Sequence, residues 1–513
     1  MRSRFWALLL LASAGCSRCG VKSAASAEEL LPGHPAGAVV TAPLGVVSQH
    51  LAALANRAGS LPGGEQIGDT RRAVTAQLGF DPLTREGLAS AGLDPDRGAA
   101  VALLDRQEWI ASLPLAKPDV FLQAVQRILV ERAGFTPAAS QAKGAKLFER
   151  RGQRVAVAVV RGYGLVARMA DPGAAVDQAG MRPPEQSLAQ DPALRTARER
   201  LGAQDFVAWA AGGSSMAQGP LRRPLPGDAA AGALSSEHGT ATRLYVELPP
   251  EDARRAQAAL PGGGASLVEL LPADAPLRAR LGVAPARLLE SARSTPELAA
   301  ILDRLHGADA EAFAALEPGA ALSVGVARGA NIGEAIDYGL DWRRKSPFDT
   351  VQLVALARVA DRARLSRALD QIARALPDLG ARVERAGDDF QVTYPAGRGA
   401  HFGVREIDGK PVAYLLGGPL RPEEIRRTPR PVSPESAVLY VDPGAAVRVD
   451  FGRLAASLRE LPQSAYGSGP QSYVARSLVG QVIEPLRTIR LTLGSEAFPD
   501  RIGGTIDVEL VAP

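Results

Sequence analysis

Several short stretches combine residue types and spacings that could support catalysis or cofactor binding. Residues 162–167 fit G-x-G-x-x-A, the outline of a dinucleotide-binding loop, which has to open a helix. Residues 165–169 continue as an apolar strand, so we predict a hairpin turn there. Ser140 and Lys143 fit S-x-x-K but lack the S-D-N and K-T-G companions of the serine enzymes that use this motif. The sequence therefore predicts no catalytic residue and no cofactor.

The acidic residues and histidines give no glycosidase or metal pattern. The acidic pairs 28–29, 388–389 and 423–424 lie beside predicted turns, where charges are solvated, whereas a glycosidase needs two carboxylates facing a sugar across a cleft. His50 is expected on a helix side or in the core, and His401 in a strand. None of the five histidines has H-x-H, H-x-x-x-H or H-E-x-x-H spacing, so we predict no metal site.

Cysteine chemistry is confined to the N-terminus. Cys16 and Cys19 are the two cysteines of the 513-residue chain, which excludes a disulfide framework and a cysteine-based zinc site in the body. Their C-x-x-C spacing lacks the strand-then-helix context of a thioredoxin motif, and Gly20 stands where haem attachment needs a histidine. We therefore expect no redox function for either cysteine.

Residues 1–15 have the organisation of a secretory signal peptide. A basic start precedes an apolar stretch at 5–11 that is too short to cross a bilayer. Residues 13–16, Ser-Ala-Gly-Cys, resemble the lipobox of bacterial lipoproteins, which implies lipidation of Cys16 after cleavage. The residue after this cysteine is Ser17 rather than Asp, as in bacterial lipoproteins that are sorted to the outer membrane, which Cys16–Ser17 resembles. The alternative is ordinary secretion, because residues 12–14 also satisfy A-x-A.

The charge of the chain argues against nucleic-acid binding. There are 59 Lys+Arg and 55 Asp+Glu, a formal charge of +4, and only 5% of residues are aromatic. Nucleic-acid binding needs basic residues gathered on one face beside aromatic platforms. The basic clusters 222–223, 343–345 and 426–427 are isolated along the chain. We therefore predict no nucleic-acid partner and expect the membrane, reached through the lipid on Cys16, as a partner.

Sequence features recur about 240 residues apart, and these features determine the predicted fold. Glu-Leu-Leu-Pro stands at 29–32 and again at 269–272, each time before an amphipathic helix candidate. Residues 110–128 and 354–372 each contain an apolar strand followed by a helix. Three further pairs follow in the same order: 146–170 with 390–416, 206–209 with 437–440, and 242–248 with 505–510.

The type of the repeated elements predicts an α+β fold. Three short strands joined by tight turns, as in 146–170, have to be antiparallel. Helices placed between such strands cover one face of the sheet. We therefore predict two tandem copies of a unit with an antiparallel meander sheet covered by helices, following the lipoprotein signal peptide.

The predicted organisation has four parts: the signal peptide at 1–15, a lipidated tether at 16–27, a first α+β unit at 28–250 and a second at 268–513. Residues 212–239 in the first unit are rich in Gly, Pro, Ala and Ser without periodicity, and are expected to be a flexible loop. The second unit has an insertion at 328–350 and helix candidates at 454–461 and 473–483.

Residues 186–211 contain a recurrent signature. Ser-Leu is followed by Asp-Pro two residues on, a helix with Ala and Leu on one face, and a strand with aromatic residues. Together with residues 79–95, this stretch resembles the bacterial envelope family called domain of unknown function 3352. The resemblance covers 28–513 and is weaker in the second half, where Pro-Leu-Arg-Pro at 419–422 replaces the signature. It implies an anchored or secreted protein with tandem α+β units, and it carries over no catalytic residue.

These features predict a lipoprotein of the bacterial cell envelope, anchored through Cys16 in the outer membrane. Because the sequence contains no recognisable catalytic motif, we expect a non-catalytic protein with a binding or structural role. The first alternative is a carrier of an apolar or lipid ligand, with the sheets curving around a hydrophobic groove. The second alternative is a hydrolase whose residues form no recognisable motif. An envelope protein and an apolar ligand are the candidate partners beyond the membrane.

Overall fold

The computed structural model describes residues 26–511, except for the stretches 62–63, 106, 141, 143, 215–224, 226, 328, 333–346, 395–396, 398, 426–436, 441–443, 467–476, 478, 480–482 and 495–500. The predicted signal peptide, Cys16 and Cys19 lie outside the described residues. So do most of the insertion at 328–350 and most of the helix candidate at 473–483. The pattern of backbone contacts divides the chain into two units, Met1–Pro249 and Pro250–Pro513.

The first unit is built on an antiparallel sheet. Its strands are β1 (Gly37–Pro43), β2 (Gly98–Leu103), β3 (Trp109–Pro114), β4 (Thr136–Ala138), β5 (Lys146–Arg150), β6 (Gln153–Val160), β7 (Tyr163–Arg168), β8 (Phe206–Ala210), β9 (Ala229–Ser236) and β10 (Gly239–Glu247). Their order across the sheet is β4-β5-β6-β7-β3-β2-β1-β8-β9-β10, with every pair antiparallel. Its helices are α1 (Leu44–Gly59), α2 (Glu65–Leu78), α3 (Arg85–Ser90), α4 (Pro118–Gln126), α5 (Pro172–Met181) and α6 (Pro192–Leu201).

Both faces of the first sheet are covered, because both sets of alternating side chains are apolar. On one face, the row Ala38, Ala102, Ile110 and Ala167 packs in one core cluster with Leu30, Leu31, and buried residues of α5 and α6. On the opposite face, Val101, Ala111 and Val166 pack with buried residues of α1 to α4. Leu30 and Leu31, which precede β1, therefore belong to the core of the first unit.

The local signals of the first unit produce the expected turns and caps. Arg161 and Gly162 both have positive φ, +50° and +81°, as a two-residue hairpin between β6 and β7 requires. The G-x-G-x-x-A stretch is therefore a turn, as predicted. The side chain of Asp191 accepts hydrogen bonds from the backbone N–H groups of Ala193 and Leu194, which confirms it as the N-cap of α6.

The second unit is also built on antiparallel strands. Its strands are β11 (Leu277–Leu281), β12 (Leu316–Val326), β13 (Val351–Val359), β14 (Arg382–Ala386), β15 (Asp389–Thr393), β16 (Ala400–Ile407), β17 (Lys410–Gly417), β18 (Ala445–Asp450), β19 (Leu486–Leu493) and β20 (Arg501–Leu510). Its helices are α7 (Pro250–Ala259), α8 (Ala265–Val268), α9 (Pro285–Arg293), α10 (Pro296–Leu302), α11 (Ala308–Ala314), α12 (Arg362–Ala375) and α13 (Phe451–Arg459). The strand order is β14-β15-β16-β17-β13-β12-β11-β18-β19-β20, again antiparallel throughout.

The second unit also has apolar clusters on both sheet faces. One face packs Val354, Leu356 and Leu416 with Leu270 and Leu271, the residues of its Glu-Leu-Leu-Pro segment. The other face packs against α11 and α12 through a cluster that includes Ala312, Val359 and Leu365. The strand-then-helix pairs and three-strand meanders that the sequence predicted are present in each unit, and the coarse α+β prediction is confirmed.

Two sequence predictions about strand positions are wrong. Residues 437–440 form a 3₁₀ helix, and the strand that pairs in the position of β8 is β18, which begins at Ala445. The sequence paired 437–440 with residues 206–209, which form β8, because short apolar runs do not distinguish a strand from a buried helix. The predicted loop at 212–239 contains β9, whose run of alanines gave no alternating pattern.

No helix in the described part of the chain combines the length and apolar character that a membrane span requires.

Candidate functional site

The second unit has a cleft of about 670 Å³ on the sheet face that carries Val354 and Leu416, which we call the cleft face. The floor of the cleft is apolar and its rim is charged. Floor and rim are formed by Leu270, Leu271, Pro272, Asp274, Gln352, Val354, Leu416, Pro419, Leu420, Arg421, Glu423, Glu424 and Ile425. A volume of this size lies in the range of small-molecule binding sites.

Strand pairing positions the floor of the cleft. Val354 of β13 lies opposite Leu416 of β17, and both are at most 3% exposed. Leu271 reaches the same face from the segment before β11. Gly418, with a φ of +93°, turns the chain off the end of β17, so that residues 419–425 run along the rim.

The first unit fills the corresponding place with a helix. Ile110 of β3 lies opposite Ala167 of β7, as Val354 lies opposite Leu416 in the second unit. In the first unit this pair belongs to one core cluster with Val176 and Ala179 of α5, which are at most 2% exposed. In the second unit, residues 418–425 follow β17 without a helix of that length, and the floor lines a cleft.

The rim of the cleft carries exposed charges of both signs. Asp274, Glu423 and Glu424 contribute carboxylates, and Arg421 contributes a guanidinium group. An oxygen of Glu423, whose side chain is 68% exposed, lies 3.6 Å from a guanidinium nitrogen of Arg405. Because these groups are solvated, their charges steer a ligand more than they hold it.

A row of arginines continues the floor across the cleft face. The strand register places one residue of each strand in this row: Leu416, Val354, Ser323, Arg278, Arg448, Arg490 and Asp507. We call Arg278, Arg448 and Arg490 the arginine row. Arg278 is 9% exposed and Arg448 4%, although a buried charge is costly unless it is paired.

Carboxylates accompany the arginine row. Arg448 donates to Asp450 at 3.2 Å, and Arg490 donates to Glu509. Burial alone would raise the pKa of Glu509, but the hydrogen bond from Thr488 and the positive charge of Arg490 outweigh it and keep that pKa below its ordinary value. Arg280, two residues along β11 from Arg278, is fully buried and donates to the carbonyl of Gly263 at 3.1 Å.

The first unit has apolar residues at the same row positions. Ala38 and Arg278 each stand six residues after the proline of a Glu-Leu-Leu-Pro segment. The row through Ala38 contains apolar residues that are all at most 7% exposed: Ala38, Ala102, Trp209, Ala230 and Tyr245. The second unit therefore carries charge where the first has an ordinary core.

Of the residues singled out in the sequence, Glu423 and Glu424 lie on the rim of this cleft, and His401 is the cross-strand neighbour of the floor residue Leu416. Cys16 and Lys143 are outside the described residues, and Ser140 is exposed. His50 lies on α1, where its Nδ1 is 2.7 Å from the buried carboxylate of Asp205, so the expectation of a helix-side histidine is met. His401 lies in β16 opposite Leu416, also as expected. Within the described residues, no group of three or more His, Cys, Asp or Glu side chains could hold a metal ion.

The acidic pairs differ in exposure, whereas the sequence predicted that all of them are solvated. Glu28 is 5% exposed and forms an ion pair with Arg198, and Glu29 forms one with Arg161 at 3.0 Å. These two residues are therefore structural groups of the first core rather than solvated charges. The pair at 388–389 lies beside a turn: Asp388 pairs with Arg362, and Asp389 accepts from the hydroxyl of Tyr414.

The sequence contains a signal for the arginines of β11, which were not among its predicted site residues. Leu277–Leu281 reads Leu-Arg-Ala-Arg-Leu, and an arginine at every second position of a strand puts all of them on one face. Arg278 and Arg280 are not adjacent, so a run of neighbouring basic residues does not reveal this alternation. Glu423 and Glu424 are one of the acidic pairs in the sequence, but the residues around them give no sign of the cleft.

Comparison with known proteins gives little further guidance. No protein-family model matches the chain, and no curated protein matches it significantly. The solved structures of TP0453 match in part: crystal form IV has a TM-score of 0.28 at 11% identity over 46% of this chain and 86% of that chain. Crystal form III has a TM-score of 0.28 at 9% identity over 47% and 88%. Likeness at this level carries no argument about fold or function.

Proposed function

We propose that this protein is a lipid-anchored protein of the bacterial envelope whose second unit binds an apolar or amphipathic ligand. The observation that carries the binding function is the cleft with its apolar floor of Leu271, Val354 and Leu416. These floor side chains are buried, and the partly exposed Leu420 and Ile425 beside them provide apolar surface that a ligand would remove from water. The anchor rests on the lipobox-like stretch ending at Cys16. Membership of the family called domain of unknown function 3352 stays a prediction.

We also infer that the two units arose by tandem duplication and then diverged. The identical order of ten strands in each unit supports this, as does the Glu-Leu-Leu-Pro segment before the first strand of each. In this proposal the first unit keeps a filled core with α5 over its sheet. The second unit lacks that cover in its described residues and provides the binding site. In this proposal the second unit, whose core is less regular, carries the binding function.

The binding proposal is tested by filling the cleft. We expect wild-type protein to retain lipid in native mass spectrometry and to bind monooleoylglycerol. Val354→Trp places an indole in the cleft and should reduce monooleoylglycerol affinity by about tenfold or more, since it removes ligand contacts worth about 1.4 kcal/mol. Leu493→Trp is the matched control, because Leu493 is 46% exposed and lies on the opposite sheet face.

Two results would overturn the binding proposal. One is wild-type protein that carries no lipid and binds no monooleoylglycerol. The other is Val354→Trp that binds as well as Leu493→Trp while circular dichroism shows both variants folded. Loss of binding in both variants would contradict it equally, because the control position lies away from the cleft.

A further inference from the structure

A second, smaller cavity opens beside the cleft, and we call it the side cavity. It has a volume of about 50 Å³. The side cavity and the cleft share four lining residues, Pro272, Asp274, Gln352 and Val354, so the two spaces adjoin. A ligand whose apolar part lies over Val354 can therefore place one end in the side cavity.

The side cavity has a polar lining, in contrast to the apolar floor of the cleft. Asp274 contributes a carboxylate and Gln352 an amide. Two hydroxyl groups line it as well, those of Ser323 on β12 and Ser457 on α13. An apolar space that adjoins a polar one suits an amphiphile, with its chain in the cleft and its head group in the side cavity.

The charge of the side cavity favours a cation. No arginine, lysine or histidine is among the described residues that line it, and Asp274 carries the charge there. Asp274 is exposed, and no described side chain forms an ion pair with it. An ammonium group has three N–H donors and no acceptor, so it matches a lining of carboxylate, hydroxyl and amide oxygens. An anion in the same place would face the carboxylate of Asp274.

The rim of the cleft adds to the negative charge. Among the described residues that line the cleft there are three carboxylates and one guanidinium group, that of Arg421. Arg278, the cross-strand neighbour of Ser323, lines neither space and already interacts within the protein. Walls with an excess of one charge raise the local concentration of a ligand of the opposite charge. The cleft therefore favours the approach of a cation over that of an anion.

Two groups of the polar lining have no counterpart in the first unit. The row position of Ser323 is held there by Ala102, which is fully buried. Asp274 stands two residues after the proline of its Glu-Leu-Leu-Pro segment, where the first unit has His34. The hydroxyl and the carboxylate therefore occur at these positions only in the unit that has the cleft.

We infer that the ligand of the second unit is an amphiphile with a primary ammonium head group, which pairs with Asp274 in the side cavity while its apolar part occupies the cleft. This inference rests on the proposed function, and it adds the charge of the head group and the residue that recognises it. An ammonium group is about as large as a water molecule. The side cavity of about 50 Å³ exceeds the roughly 10–15 Å³ that one water needs.

The test compares three ligands that share one alkyl chain. Purified full-length protein is titrated at pH 7 with dodecylamine, dodecanol and dodecanoate, below the concentrations at which they aggregate, and with methylamine as the head group alone. We expect dodecylamine to bind about three- to fivefold more tightly than dodecanol, the factor that a partly solvated ion pair provides. Dodecanoate should bind least tightly, and methylamine should show no binding at millimolar concentration.

Matched variants assign the preference to Asp274. Asp274→Asn removes the charge and keeps the shape, so dodecylamine and dodecanol should bind it with equal affinity. Glu424→Gln removes a carboxylate that lines the cleft but not the side cavity, and should keep a preference of at least about twofold. Dodecanol affinity at the wild-type value shows that the cleft of a variant is intact.

Salt provides a second measurement that needs no variant. The preference of wild-type protein for dodecylamine should shrink when the NaCl concentration rises from about 0.05 M to about 0.5 M, because salt screens an exposed ion pair. A preference that does not change with salt would contradict the pairing with Asp274, even if Asp274→Asn failed to fold.

The remaining outcomes distinguish this inference from the proposed function. Equal affinity of wild-type protein for dodecylamine and dodecanol, or tightest binding of dodecanoate, overturns the inference and leaves the apolar ligand of the proposed function standing. Binding of none of the three ligands and no monooleoylglycerol overturns both. Methylamine that binds as tightly as dodecylamine shows a free amine site and overturns the amphiphile. An unchanged preference in Asp274→Asn, or an equal loss in Glu424→Gln, overturns the assignment to Asp274.

Discussion

Among single residues, Asp191 joins the start of α6 to the loop that contains His34. One carboxylate oxygen accepts from Ala193 N at 2.9 Å and Leu194 N at 3.2 Å, and the other accepts from His34 N at 3.1 Å. The side chain is 1% exposed, so its removal leaves donors without a partner or water. We expect Asp191→Ala to lower the free energy of unfolding by about 1–3 kcal/mol, measured by urea denaturation.

Asp171 offers a matched control for this prediction. It caps α5 through a hydrogen bond from Ala174 N at 3.1 Å and is exposed, so water can replace its carboxylate. Asp171→Ala should lower the free energy of unfolding by about 1 kcal/mol or less. Equal losses in the two variants would mean that burial of the Asp191 cap contributes nothing.

The lowered pKa of Glu509 predicts that the stability of the fold depends on pH. Its pKa in the folded protein lies below the ordinary value because of Thr488 and Arg490. A carboxylate with a lowered pKa stabilises the fold above its unfolded-state pKa of about 4.3, and loses that stabilisation as the pH falls through the folded-state pKa. Glu509→Gln should therefore be less stable than wild-type at pH 7, and the difference should shrink below about pH 4.3.

Urea denaturation between pH 7 and pH 3 checks the Glu509 prediction. Glu290→Gln serves as control, because Glu290 is 63% exposed and pairs with Arg287 on the surface of α9. Its effect should stay below about 1 kcal/mol at each pH. A Glu509→Gln deficit that grows on acidification would reverse the expected sign and refute the assignment.

At the scale of elements, the two Glu-Leu-Leu-Pro segments have different neighbours. Leu31 is fully buried in a core that includes residues of α5, whereas Leu271 lines the cleft. Leu31→Ala should cost about 2–5 kcal/mol, as for well-packed leucines. Leu271 is 1% exposed but borders the cleft, so Leu271→Ala extends that cleft rather than creating a closed cavity. It should therefore cost less than Leu31→Ala and should weaken monooleoylglycerol binding.

Hydrogen–deuterium exchange followed by mass spectrometry can check this pair, because it reports on each unit separately. We expect Leu31→Ala to raise exchange in β1, β2 and β3, and Leu271→Ala to raise it less in β11, β12 and β13. An equal or larger effect of Leu271→Ala would show that the cleft side of the second unit is as tightly packed as the core of the first.

At the scale of the whole molecule, the proposed anchor predicts where the protein is found. Ten residues lie between Cys16 and Ala27, and a chain of that length spans at most about 40 Å. Several acyl chains on Cys16 would hold the protein on a membrane, at about 0.8 kcal/mol for each buried methylene. Cys16→Ser should therefore move the protein from the membrane fraction to the soluble fraction, detected by immunoblotting.

Mass spectrometry of the mature N-terminus completes the test of the anchor. A diacylglyceryl-modified Cys16 is the expected result. Cys19→Ser is the matched control and should leave the protein in the membrane fraction. An unmodified N-terminus on wild-type protein would support ordinary secretion instead.

Much of the fold follows from local sequence signals, and the exceptions are informative. The hairpin at Arg161–Gly162 and the cap at Asp191 were predictable, because turn and cap chemistry depends on a few adjacent residues. Strand β9 was missed, because a run of small residues gives no alternating pattern until β8 and β10 pair with it. Residues 437–440 do not match the strand at 206–209 but form a 3₁₀ helix, and the sequence did not distinguish the two because burial makes both equally apolar.

The sequence by itself determined the α+β class, the meanders and the repeated order of elements, because hydrophobic periodicity and turn residues act over a few positions. Only the tertiary structure decided that Arg278 lies beside Arg448 and Ser323, since these residues come from strands far apart in the chain. The same holds for the cleft over Val354 and Leu416. A cleft is space left between packed elements, and no residue pattern within one element encodes it.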